Sequence, residues 1–229
     1  QETKKYLESL GVIPSKIPIG GMSADAKWLK FKVTETNPTD KINWKKYYIK
    51  DENGLLYLFS GRISEPKGVH FLLHAWEKHI KQHPKDALLL IGYGNKYEEF
   101  KEKYRNEKSV HLIGQVNYSE IYKFYAISDV FILPTLQDNW SLVVPEAMAC
   151  GLPIATSIYN GCYPELVHKD ENGITFDPCE EETLINALDY FHHQDLKVMG
   201  QKSIELEKQF NTENCARRVY EALNKSLSK

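Results

Sequence analysis

The chain predicts an α/β fold in which a parallel sheet is doubly wound by helices. Three observations carry that prediction. From residue 55 onward, short apolar runs alternate with longer stretches of helical spacing. The runs are apolar almost throughout, as strands buried on both faces are. Prolines and glycines stand where such helices would begin and end. Strands alternating with helices of about 10–15 residues build βαβ units and hence a parallel sheet.

In chain order, "LLYLFSG" (55–61) reads as the first strand, and residues 67–82 as the helix after it, started by Pro66 and stopped by Pro84. "ALLLIGYG" (87–94) is the second strand, followed by a helix over 96–107. "VHLIG" (110–114) leads into a helix over 118–127, and "DVFILPT" (129–135) into a helix over 144–150 that Gly151 ends. "LPIATS" (152–157) and a short strand near "GITFD" (173–177) complete the sheet, and helices at about 180–192, 195–209 and 212–227 close the chain.

Residues 1–50 do not share this rhythm. "YLESLGVIPSKIPIGG" (6–21) suggests a helix and then a short strand, and "TETNPTDKINWKKYYIKDENG" (34–54) is polar, proline-bearing and linker-like. The expected organisation is therefore the end of a preceding domain and a linker over 1–51, one doubly wound domain over 52–195, and a helical tail over 196–229.

Composition narrows the function classes. Of 229 residues, 29 are Lys or Arg and 31 are Asp or Glu, giving a net charge of -2. No global basic field argues for nucleic acid, so any basic site must be local. Cys150, Cys162, Cys179 and Cys215 are scattered without a CxxC pair or zinc spacing, which suits reduced thiols of a cytosolic protein. No apolar run approaches the roughly 20 residues of a membrane span. The opening "QETKKYLESLG" has neither a methionine start nor a signal-peptide pattern, as a fragment of a longer chain would.

In open α/β sheets, ligands bind outside the carboxyl ends of the strands. Just beyond the first run stand Gly61, Arg62 and Lys67. Arg62 as a planar fork and Lys67 as a point charge can clamp a diphosphate, and they can equally be two solvated cations. "IGYG" after the second run is no dinucleotide fingerprint, because G-x-G-x-x-G would place a glycine where Tyr97 stands. "LIGQV" puts Gln115 and Val116 either beside a base or simply at a strand end.

Asp138 and Glu146 stand eight residues apart, one in the loop after the fourth run and one in the first turn of the next helix. Glu146 can accept hydrogen bonds from two ribose hydroxyls, and Asp138 can face a sugar. Alternatively, Asp138 caps the helix and Glu146 complements its dipole, or the two form a glycosidase acid/base pair. His70 and His74, and again His79 and His83, hold an i, i+4 spacing, but no third ligand is evident and a structural zinc site wants four. Tyr118, Tyr122 and Tyr125 form a helical stripe that suits packing. Trp140 is either a pocket wall or a buried anchor.

Taken together, "FSGRISEPKGVHFLLHAW", "LLLIGYG", "VHLIGQVNYSEIYKFYAISDVFILPT", "DNWSLVVPEAMACGLPIATS" and "PELVHKDENGITFDP" resemble, in that order, the C-terminal domain of a family 4 retaining glycosyltransferase with the GT-B fold. The resemblance covers roughly residues 50–190. It implies a Rossmann-like half-molecule that binds a nucleoside diphosphate sugar, with Arg62 and Lys67 as the diphosphate clamp and Glu146 as the ribose ligand. Asp138 occupies the first acidic position of the family's E-x7-E pair, here D-x7-E. Asn139, Trp140 and Ser141 replace the usual Gly-Phe-Gly, and with Leu142, Gly61, Gln115 and Val116 they complete the donor-binding set. A shorter acid and side chains in place of glycines reshape the sugar pocket.

The resemblance further implies transfer of a hexose-type sugar to a glycan or lipid-linked acceptor, with same-face attack and retention at the anomeric carbon. It implies no cofactor and no metal, and no D-x-D occurs in the chain. A separate N-terminal domain would shape the acceptor site, the tail helices would cross back to it, and the fragment alone would turn over little. The setting is cytoplasmic, with peripheral membrane association as an extension. Two other classes remain: a non-catalytic nucleotide-sugar-binding module, and a nucleotide-sugar epimerase or NAD-dependent oxidoreductase, for which "SGRISEPKG" supplies no glycine-rich phosphate loop.

Overall fold

A computed structural model describes residues 2–19, 22–49 and 51–227. Helix α1 (Glu2–Ser9) and a 3-10 turn (Pro14–Lys16) precede helices α2 (Ala26–Glu35) and α3 (Pro38–Tyr48). The alternating part then runs β1 (Leu56–Ser60), α4 (Val69–Gln82), β2 (Ala87–Ile91), α5 (Tyr97–Lys103), β3 (Val110–Gly114), α6 (Tyr118–Ile127) and β4 (Val130–Leu133). It continues with α7 (Val143–Ala149), β5 (Ile154–Ser157), α8 (Tyr163–Leu166), β6 (Gly173–Phe176), α9 (Glu181–Tyr190), α10 (Leu196–Glu207) and α11 (Thr212–Leu227).

The strands form a six-stranded parallel sheet in the order β3-β2-β1-β4-β5-β6. In register, Leu58 lies between Leu89 on β2 and Phe131 on β4. Every residue of β1, β2, β4 and β5 is buried, which is why their sequences carry no polar alternation. Helix α4 shows the complementary pattern. Val69, Leu72, Leu73 and Trp76 recur at helical spacing on its buried side, while His74 and Lys78 face out. α4 packs against α9, and α6 and α7 pack against α2, so helices cover both faces.

Two readings of the first fifty residues are corrected. The short strand expected after the first helix does not form among the described residues; the 3-10 turn at Pro14–Lys16 stands there instead. The linker-like stretch is helical. Asn37-Pro38, which reads as a turn signal, is a helix start: the Asn37 side chain accepts from the Thr39 amide at 2.8 Å, and Pro38 occupies the first helical position, where its missing N–H costs nothing. Neither helix is loose. α2 buries Ala26, Leu29 and Val33, and its Trp28 stacks on Tyr118 of α6 at 5.4 Å. α3 sends the Lys45 ammonium to both oxygens of Asp129 at 2.7 and 2.6 Å. In the tail, α10 packs against α7, whereas α11 buries only Cys215.

Candidate functional site

Strand order reverses between β1 and β4, so the loops leaving these two strands diverge to opposite faces and open a crevice at their carboxyl ends. The segment after β1 carries Arg62 and Lys67, and the segment after β4 carries Asp138 and leads to Glu146. The Pro66 carbonyl joins the two, accepting from the Leu136 amide at 2.8 Å and the Thr135 hydroxyl at 3.2 Å. Gly68 makes that approach possible. It sits in the left-handed region at φ 65, and a Cβ there would lie 1.9 Å from the Pro134 carbonyl oxygen. Gly92, at φ 131, plays the same part after β2, since its Cβ would fall 1.8 Å from the Gly61 oxygen.

On this frame the Lys67 ammonium donates to an Asp138 carboxylate oxygen. Asp138 is fixed from several sides. Its other oxygen accepts the Trp140 amide at 3.1 Å, and its carbonyl accepts the Gly161 amide at 2.8 Å. Burial works to raise the Asp138 pKa, but the bonds from Lys67 and Trp140 outweigh it and hold the carboxyl below the ordinary range. Asp138 does not cap the next helix, because Leu142 occupies that position. The guanidinium of Arg62 is exposed and makes no hydrogen bond or ion pair among the described residues. Of the two cations that follow β1, Lys67 is thus engaged and Arg62 is open.

Glu146 differs from Asp138 in kind. It lies in the first turn of α7, half-buried, and burial raises its pKa to about 7. A hydrogen bond from the Tyr125 hydroxyl at 3.2 Å to Oε2 partly counters that rise. Tyr125 is a residue that sequence reasoning assigned to packing with Tyr118 and Tyr122. The other two do pack on Trp28, at 5.4 and 6.1 Å. Tyr125 is buried beneath the crevice and reaches a carboxylate 21 positions along the chain. The sequence showed the stripe as a whole; neither the inward place of Tyr125 nor its carboxylate partner was visible there.

Asn139 is exposed, Ser141 is buried, and Leu142 is exposed on the same loop. Trp140 unites its two readings. Its ring rests on Phe210 at 5.7 Å, its Nε1 is buried without a partner among the described residues, and it lines a cleft of about 750 Å³. Asp138, Asn139 and Tyr159 share that cleft with Leu7, Ile19 and Phe210. Arg62, Lys67 and Glu146 are not among its walls, so the crevice and the cleft adjoin through Asp138. Gln115 and Val116 lie at the same edge of the sheet beyond β3, two strands from β1. No described hydrogen bond ties them to the cations or carboxylates. Gly61 donates to the Ile91 carbonyl at 3.0 Å and so anchors the start of the Arg62 segment.

The model of the family "Glycosyl transferases group 1" matches residues 21–213. An uncharacterized glycosyltransferase of Haemophilus influenzae is 31% identical over 167 residues, covering 70% of this chain and 46% of that protein. Among solved structures, a glycosyltransferase from Rickettsia africae superposes with a TM-score of 0.78 at 19% identity, covering 95% of this chain and 59% of the other. Anabaena Alr3699/HepE, solved in complex with UDP and glucose, gives 0.71 at 21% identity, covering 88% and 55%. The chain spans about half the length of the curated relatives it matches. The structural likenesses establish the doubly wound, Rossmann-like architecture of GT-B glycosyltransferases.

Proposed function

The chain belongs to the group 1 glycosyl transferases, and on that premise we propose that its β1/β4 crevice binds a nucleoside diphosphate sugar. It would act as the donor half of a retaining enzyme that moves a hexose-type sugar to a glycan or lipid-linked acceptor. The observation that carries this reading is the meeting of Lys67 and Asp138 beside an unpaired Arg62 and a half-buried Glu146, at the one point where the strand order reverses. A diphosphate entering here meets Arg62 directly and draws Lys67 away from Asp138. That exchange turns the Asp138 carboxylate toward the sugar. The fourteen-residue helix α4 starts at Val69, next to the clamp, and its N-terminal dipole favours the same negative charge.

Charge then develops on the departing diphosphate, where Arg62, Lys67 and the α4 terminus are already aimed. Glu146 is left to the ribose, accepting from its two hydroxyls. In the retaining scheme the acceptor attacks from the leaving-group face and a phosphate oxygen takes its proton, so neither acid serves as a nucleophile. The acceptor site belongs to a further domain. Among the described residues no helix is long and apolar enough to cross a membrane, and we place the enzyme in the cytoplasm, peripheral to the membrane when the acceptor is lipid-linked.

Calorimetry with nucleoside diphosphate sugars, bare nucleoside diphosphates and nucleosides tests the donor assignment. The diphosphates should bind, and Arg62→Ala should weaken them by about 1.5–3 kcal/mol, the scale of a charge-assisted bond, while leaving the nucleoside unchanged. Equal losses for both ligands would place the clamp elsewhere. One observation favours a second reading, a nucleotide-sugar-binding module without turnover: the first acid is a short Asp already engaged by Lys67 and followed by Asn-Trp-Ser. A full-length protein that binds donor yet transfers sugar to no acceptor tried would decide for the module.

A further inference from the structure

The opposite edge of the sheet holds a cluster that donor binding does not use. His79 and His83 stand one turn apart at the end of α4, Asp86 immediately precedes β2, and Asp189 and His192 come from the end of α9 and the turn after it. His79 is completely buried. Its Nε2 lies 2.8 Å from Asp86 Oδ2 and its Nδ1 lies 2.8 Å from Asp189 Oδ1. His83 Nε2 approaches the same Asp189 oxygen at 3.2 Å.

We propose that His79 Nδ1, His83 Nε2 and Asp189 Oδ1 form a binding site for a divalent transition-metal ion of the zinc class. Four arguments converge. Two imidazoles and one carboxylate are a donor set that suits zinc and its neighbours, with water completing the coordination. Ligand atoms about 2.0–2.1 Å from a tetrahedral ion lie roughly 3.3 Å apart; the two nitrogens lie 2.8 and 3.2 Å from Asp189 Oδ1, and all three ligand atoms fall within 4.8 Å of one another. Behind the site, the Asp86 carboxylate is placed to accept from His79 Nε2–H, which leaves the Nδ1 lone pair turned toward Asp189. That carboxylate–histidine arrangement orients metal ligands generally. Finally, His83 and Asp189 are 25% and 28% exposed, so an ion and its waters can reach the site although His79 is sealed.

His192 discriminates between two faces of His79. It bonds Asp86 Oδ2 at 2.8 Å and stacks on His83 at 3.9 Å, so an ion bound on the Nε2 side of His79 would use His192 instead of His83. The ion belongs on the Nδ1 side, because there His83 and Asp189 are 25% and 28% exposed, against 17% and 1% for His192 and Asp86 on the other.

The test strips metal from the full-length protein and titrates it with Zn²⁺ by calorimetry and with Co²⁺ by visible absorption. The wild type should bind one equivalent more than His83→Gln, or bind it at least tenfold more tightly. Asp86→Asn should weaken binding by about 10- to 100-fold, as loss of an orienting partner does. His70→Gln and His192→Gln should shift affinity by less than about threefold. Because His83 is at the rim, its variant remains informative even if Asp86→Asn misfolds. Absence of a saturable equivalent, wild-type affinity in His83→Gln, or a loss in His192→Gln as large as that in His83→Gln would each overturn the assignment.

Discussion

The two edges of the sheet use buried charge in opposite ways. At the amino edge, His79 stands between Asp86 and Asp189, and Asp86 also receives the Leu55 amide at 2.8 Å and His192 at 2.8 Å. Every strong polar group there has a protein partner. At the carboxyl edge, Arg62 has none among the described residues, Trp140 Nε1 has none, and Glu146 has one bond of 3.2 Å. The amino edge is thus closed by contacts within the protein, with His83 and Asp189 at its rim, whereas the carboxyl edge leaves an exposed guanidinium and a buried indole N–H without one. An unmet buried group costs stability, and it is kept where a ligand will meet it.

The largest expected break in that contrast is His79→Ala. Removing the imidazole takes from Asp86 and Asp189 the buried group that joins them, leaving Asp86 to Leu55 and His192 and Asp189 to His83, and breaking a buried pair typically costs about 3–5 kcal/mol. Urea denaturation should show that loss; a change within about 0.5 kcal/mol would mean that the amino-edge network contributes nothing.

Glu146→Gln should do the reverse. The folded-state pKa of Glu146 is raised to about 7 from 4.5. Between those values the folded protein holds a proton that the unfolded chain has released, so this group's contribution to stability falls as pH climbs from 4.5 to 7 and then stays low. At about 1.36 kcal/mol per unit, the cost above pH 7 is at most ~3 kcal/mol. The amide variant should therefore be more stable than wild type at pH 8, and should gain less than about 1 kcal/mol at pH 5. It should also bind nucleoside diphosphates more weakly. A variant that is less stable at pH 8 would remove Glu146 from the set of groups held in reserve.

The smallest effect sharpens the comparison. Tyr125→Phe removes the bond that partly restrains the pKa of Glu146, so the carboxyl should ionise at higher pH. Nucleotide affinity should rise toward neutral pH as Glu146 ionises, and in the variant that rise should move upward. The loss at pH 7 should be about 1 kcal/mol, the net worth of one hydrogen bond. An unshifted profile would show that Tyr125 only packs.

Local pattern alone determined most of the architecture. The predicted helices over 118–127 and 212–227 coincide with α6 and α11 as observed, and all six apolar runs became parallel strands. Such elements are legible because hydrophobic period and buried runs are properties of neighbouring residues. Arg62, Lys67, Asp138 and Glu146 were legible as candidates for the same reason: each lies just beyond a readable strand. Where two local signals coincide, local reading fails. Asn37-Pro38 marks a turn and a helix start equally well, and only packing of the resulting helices on α6 selected the second.

Pairings across long separations were decided by the tertiary structure. Lys67 meets Asp138 across 71 positions, Tyr125 meets Glu146 across 21, and His79 meets Asp189 across 110. No spacing rule connects such residues. His79 and His83 offered an i, i+4 pair with no third ligand in view, and the third became visible only when the end of α9 folded against the end of α4. A parallel sheet brings every strand start to one edge and every strand end to the other. The sequence by itself therefore determined which residues lie near each edge, whereas side-chain packing between distant segments decided which of them touch, and through that their charge.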